Sequence, residues 1–113
     1  MKFAISSQNW LTITSHPGKT GRFRIFEAEA GVPPRELDRL ELPAELTLHN
    51  VHGDHPHPLY EVDVVISGSA GTHFIERLER HGVRVATTSE KDPLAAIKGF
   101  LDGTLSSAAP HDH

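Results

Sequence analysis

The stretch that most limits how this chain can fold is Asp63-Val64-Val65-Ile66, followed at once by Ser67-Gly68-Ser69-Ala70-Gly71. A short continuous apolar run is the mark of a strand buried on both faces, which in turn calls for cover on both sides of a sheet. A helix from Thr72 to about His81 follows, with Phe74, Ile75 and Leu78 on one stripe and Thr72 as a candidate cap. Gly82 stands where a left-handed C-terminal cap is wanted, and Val83–Ala86 reads as the next strand. Asp92 then offers an N-cap with Pro93 at the first helical position, Leu94, Ile97 and Leu101 continue at helical spacing, and Gly103 ends the helix. Strand, helix, strand and helix at these lengths imply parallel pairing through a right-handed crossover.

The first half has a different texture. Phe3–Ser7 and Leu11–Ser15 alternate and are predicted to pair as a hairpin across Gln8-Asn9. A loop, His16-Pro17-Gly18-Lys19-Thr20-Gly21, leads to a third strand over Arg22–Glu27, with Phe23 and Ile25 on one face. Gly31-Val32-Pro33-Pro34 is expected to break the chain, and Arg35–Leu48 reads as extended because Pro43 interrupts any helix. Leu59–Val62 is expected to form one helical turn. Residues 1–105 thus form one domain, and the tail Ser106–His113, with His111 and His113, is expected to be disordered.

Between the halves lies His49-Asn-Val-His-Gly-Asp-His-Pro-His-Pro58, holding four of the nine histidines in ten residues. Neutral imidazole is the commonest protein ligand for zinc, copper, nickel and iron, and a loop with Gly53, Pro56 and Pro58 can bend several rings toward one point. His49, His52, His55 and His57 are therefore candidate metal ligands. Their spacing matches no fixed zinc signature, so a solvated His-rich linker explains the stretch equally well.

Composition removes several function classes. With no cysteine there are no disulfides, thiolate nucleophiles or cysteine-held iron–sulfur clusters, so any metal is bound by nitrogen and oxygen or brings its own sulfur. A formal charge of −4 without a basic cluster argues against nucleic acid as a partner. Protonating all nine histidines would move that charge to +5. No apolar run approaches the ~20 residues of a membrane span, and the N-terminus lacks a signal-peptide core, so the expected compartment is cytoplasm. A nuclease needs several converging carboxylates on hard metal ions. The first strand carries no acid, and Asp63 opens its strand rather than ending it, so a binding role is favoured over an enzymatic one.

The start Met-Lys-Phe-Ala-Ile-Ser-Ser, the loop His16-Pro17-Gly18, the strand Phe23-Arg24-Ile25-Phe26, the run Asp63–Gly71, the segment Leu78–Val85 and the close Leu101-Asp102-Gly103 occur in an order that resembles the dinitrogenase iron–molybdenum cofactor biosynthesis family, the NifX-like domain. The resemblance covers roughly residues 1–105. It implies an α/β fold of ribonuclease-H-like type, a mixed sheet with antiparallel strands first and a parallel βαβα unit after. It also implies a carrier for an iron–molybdenum cofactor or a precursor iron–sulfur cluster, working with cofactor-assembly proteins. The family commonly has His-Phe-Gly at His16-Pro17-Gly18 and a second glycine at Ser67. On this reading His16 is a ligand, and His16, Gly18, Gly68, Ser69, Gly71 and Thr72 form the cofactor site. A strand-to-helix turn of this kind suits an anion, because the helix N-terminus offers unpaired N–H groups. The competing reading is a divalent-metal buffer or sensor using the His-rich loop alone. A homodimer completing an open site is compatible with either.

Overall fold

The computed structural model describes residues 1–15, 21–47 and 57–105. Five strands form one mixed sheet: β1 (Lys2–Ser6), β2 (Arg22–Glu29), β3 (Val32–Glu41), β4 (Val64–Ser67) and β5 (Arg84–Thr87), in the order β3-β2-β1-β4-β5. β1 pairs antiparallel with β2 and parallel with β4, β2 with β3 antiparallel, and β4 with β5 parallel. The carboxyl ends of β1, β3, β4 and β5 therefore share one edge. Two helices follow the strands of the second half, α1 (Thr72–Arg80) and α2 (Pro93–Asp102).

Strand alternation sorts the core into two layers. Ala4, Phe23 and Val65 face one way and pack with Phe74 and Leu78 of α1 and with Leu59, Val62 and Val83. Phe3, Ile5, Phe26, Val64 and Ile66 face the other way and pack with Ala96 and Ile97 of α2. All four residues of β4 are buried, as its apolar run requires. Phe3 meets Phe100 edge to face, with ring centroids 5.6 Å apart.

The helix punctuation is as expected at three of four ends. Asp92 caps α2 through Oδ1, which accepts from the Leu94 N–H, and Pro93 is the first helical residue. Gly103 closes α2 at φ 74°. Past α1, Gly82 sits at φ 78°, with its N–H bonded to Glu79 O and the Val83 N–H to Leu78 O, a Schellman closure. The N-cap of α1 is Gly71 rather than Thr72, which is already inside the helix.

Two expectations are corrected. Leu11–Ser15 forms no strand. Ile13 is buried in the α2-side core while Leu11 is exposed, which mimics strand alternation, but the backbone bonds run elsewhere. Ile13 N–H donates to Lys91 O and Thr14 N–H to Ser6 O, so the segment crosses the strand ends instead of pairing along one. Nor do Pro33 and Pro34 break the chain. Gly31, at φ 81°, makes the turn, and both prolines lie within β3, the outermost strand, where a missing ladder N–H is tolerated. Leu59 falls in a 3-10 turn over Pro58–Glu61, close to the helical turn expected there.

Gly82→Ala forces an L side chain into the left-handed region and is expected to cost about 1 kcal/mol. Leu78→Ala, removing a side chain with no exposure, is expected to cost about 2–5 kcal/mol. Urea unfolding of the two variants measures both.

Candidate functional site

At the carboxyl edge the chain leaves β4 through Ser67-Gly68-Ser69-Ala70-Gly71 and enters α1. Gly71 has no side chain to accept from the first-turn N–H groups, and a Cβ built there would meet nothing within 4 Å. The N-cap residue itself therefore supplies no side-chain bond to the positive end of the helix dipole. Gly68 has close company instead. A Cβ there would fall 2.8 Å from Ser15 Oγ and 3.6 Å from the backbone of the Thr12–Ser15 strap, so any other residue would displace the Ser15 hydroxyl from its place against this turn.

That strap is tied down at several points. Thr14 O accepts from the Gly68 N–H at 3.1 Å and from Ser67 Oγ at 3.0 Å, and Ser6 Oγ also donates to it. Ser7 Oγ donates to Thr12 O at 2.8 Å. The turn before it is held by Asn9, whose Oδ1 accepts from the Leu11 and Thr12 N–H groups. Trp10 adopts φ 63° there and lies half-buried between the guanidinium groups of Arg22 and Arg39, 5.5 and 5.4 Å from its ring centroid. Sequence alone allows Trp10, in a turn, to be a core lid or an exposed contact and favours the lid; here it belongs to neither core cluster and stacks against the β2–β3 face instead. There Arg24 forms a bidentate pair with Glu36, at 2.7 and 3.2 Å. That bond, with Arg39 nearby, holds the Glu36 carboxyl below its ordinary range.

Gly68, Ser69, Gly71 and Thr72 therefore share the carboxyl edge with the strap that ends at Ser15. His16, Gly18, His49, His52 and His55 lie outside the described residues, as do His111 and His113. Among the described residues no three His, Asp or Glu side chains gather to hold a metal ion. His73, in the first turn of α1, is exposed.

His57 is described, and its ring is already engaged. Nδ1 accepts the Leu59 N–H at 3.1 Å and Nε2 lies 2.8 Å from Leu46 O, which fixes the neutral tautomer with its proton on Nε2. His57 is the N-cap of the 3-10 turn, buried to 5% exposure, and ligating a metal would cost it one of these bonds. Its Pro58 neighbour was the available signal, since His57-Pro58 repeats the cap-then-proline pattern of Asp92-Pro93. Tyr60 stacks on His81 with centroids 3.7 Å apart, so this end of the His-rich stretch lies toward the C-terminus of α1, away from Gly71. His81 is accordingly a packing partner as well as a residue at the helix end.

The family model for the dinitrogenase iron-molybdenum cofactor matches residues 1–103. The chain belongs to that family. No curated protein matches it. Among solved structures it is similar to PH0822, with TM-score 0.70 and 19% identity, covering 95% of this chain and 94% of that one. It is also similar to TM1290 from Thermotoga, of the DUF35 family, with TM-score 0.64 and 21% identity over 99% and 97%. A third likeness is to the apo form of the orange protein from Desulfovibrio gigas, with TM-score 0.63 and 17% identity over 99% and 96%. At these identities the structures establish a shared fold. No helix among the described residues is long and apolar enough to cross a membrane.

Burial pushes the His57 imidazole below its ordinary 6.5; the Leu46 bond opposes this and the charge of Arg77 adds to it. The folded state therefore binds this proton less readily than the unfolded chain. Its contribution to stability is complete above the unfolded value and declines as pH falls from there toward the folded one. His57→Asn keeps an acceptor for Leu59 without titrating. Between about pH 7.5 and 5.5 it is expected to lose less stability than the wild type, as read by urea midpoints.

Proposed function

We propose that the protein is a non-catalytic carrier that binds an iron–molybdenum cofactor, or an iron–sulfur precursor of one, at the carboxyl edge of its sheet. The observation that carries this reading is the start of α1 at that edge, with glycine as its N-cap beside the close crossing of Gly68 and Ser15. A metal–sulfur cluster is anionic, and backbone N–H groups with the helix dipole suit such a cargo. Family membership supports the choice of cargo, and the orange protein's description in an apo form fits a fold that takes up a ligand.

In this reading His16, one peptide bond beyond the strap, supplies the nitrogen ligand. Gly18, Gly68, Ser69, Gly71 and Thr72 supply close backbone approach and N–H donors. Without cysteine the chain contributes few strong bonds to iron, which suits cargo that has to be released to cofactor-assembly proteins. We read the strand order as ribonuclease-H-like in arrangement only, and the compartment as cytoplasmic. The His-rich stretch is secondary, because the ring of His57 is spent on Leu46 and Leu59.

Anaerobic protein mixed with iron–molybdenum cofactor, with an iron–sulfur precursor, or with zinc or nickel, then passed through gel filtration, tests the reading. Metal is expected to co-elute from the cluster samples and to be lost in His16→Ala. Trp10, the single tryptophan, is tied to Ser7 at the end of β1, so its emission is expected to fall as the coloured cluster binds. Zinc or nickel held equally by both proteins, with no cluster retained, would instead establish the histidine-based buffer.

A further inference from the structure

Ser6 and Ser67 end the adjacent parallel strands β1 and β4, and both are fully buried. Their hydroxyls lie 2.9 Å apart, and both reach the same acceptor, Thr14 O. Three oxygens thus form a closed triangle inside the sheet edge. Two hydroxyl protons serve its three contacts. Either both hydroxyls donate to Thr14 O, or one donates to the other and is relayed onward; each pattern leaves both protons bonded. The Gly68 N–H adds a further donor to the same carbonyl.

Buried serines at strand ends call for an account, because an apolar residue would fill the space without a desolvation cost. Here the hydroxyls secure a backbone segment that has no ladder of its own. Thr14 and Ser15 cross two strand ends, and the Ile13 N–H is bonded to the carbonyl of Lys91, in the segment between β5 and α2. The crossing sets how near Ser15 comes to Gly68 at the carboxyl edge.

We propose that Ser6 and Ser67 are positioning residues: their hydroxyls lock the Thr14 carbonyl, fix the Ser15–Gly68 crossing, and thereby set how tightly the edge site holds its cargo. The effect on cargo rests on the carrier reading; the lock itself does not. Ser67 is the more informative position, because it joins both the triangle and, through its carbonyl, the Thr88 N–H at 3.0 Å. Only its hydroxyl is removed by Ser67→Ala.

The test has two arms. In the protein without cargo, amide hydrogen exchange is followed at Thr14, Gly68, Val65 and Leu78. Ser67→Ala and Ser6→Ala are expected to speed exchange at Thr14 and Gly68 by about tenfold, with Val65 and Leu78 unchanged, as local opening predicts. Ser67→Thr, which keeps the hydroxyl, is expected to stay near wild type. In the second arm, cluster-loaded proteins are challenged with a chelator, and Ser67→Ala is expected to release metal about tenfold faster than wild type at unchanged cluster absorption. Unchanged exchange at Thr14 and Gly68, or a rise shared equally by Val65 and Leu78, would overturn the lock. Faster exchange with wild-type release would overturn its control of cargo. Failure of the wild type to bind any cluster would overturn the carrier reading and this control of cargo together, while the exchange arm still decides the lock.

Discussion

The parallel pairing of β4 against β1 is the constraint on which the rest depends. Phe3, Ala4 and Ile5 stand opposite Val64, Val65 and Ile66, and none of the six is more than 1% exposed. Burial on both faces demands a helix layer on each side, which α1 and α2 supply. Parallel direction also brings two strand ends to one edge. Backbone groups there lack sheet partners, so they have to be met by a crossing segment, by a helix terminus or by a ligand. The strap meets some of them and α1 opens beside the others.

Where sequence alone reveals the fold, the signals are local. The Val64–Ile66 run, the Asp92-Pro93 cap and the glycines at 82 and 103 each depend on a few neighbouring residues, and each stands where expected. Leu11–Ser15 misleads because burial of Ile13 between exposed neighbours looks the same whether the chain pairs or crosses. The difference lies in Lys91 and Ser67, more than fifty residues away. Pro33 and Pro34 mislead similarly, since only sheet order shows that β3 is an edge.

The candidate site follows the same rule. The Gly68–Thr72 turn is a local pattern, and it joins the end of β4 to α1 as its glycines and the buried run before it predict. His57 belongs by composition to a ligand cluster, yet its ring is consumed by two backbone groups, one of them eleven residues back. Ser6 and Ser67 gave no sign of their role, because a serine after an apolar run is ordinary until the acceptor they share is in place.

The outer margin of the sheet has a bearing on how another protein could approach. β3 carries Pro33 and Pro34 near its start and Arg35, Glu36, Asp38, Arg39 and Glu41 along the rest. An edge with missing donors and dense charge resists extension by a foreign strand. Encounter through this margin is therefore disfavoured, which protects the protein from edge-to-edge aggregation at high concentration. The opposite edge, β5 over Arg84–Thr87, is shorter and carries no proline, so the two margins of the sheet differ in how open they are to strand addition.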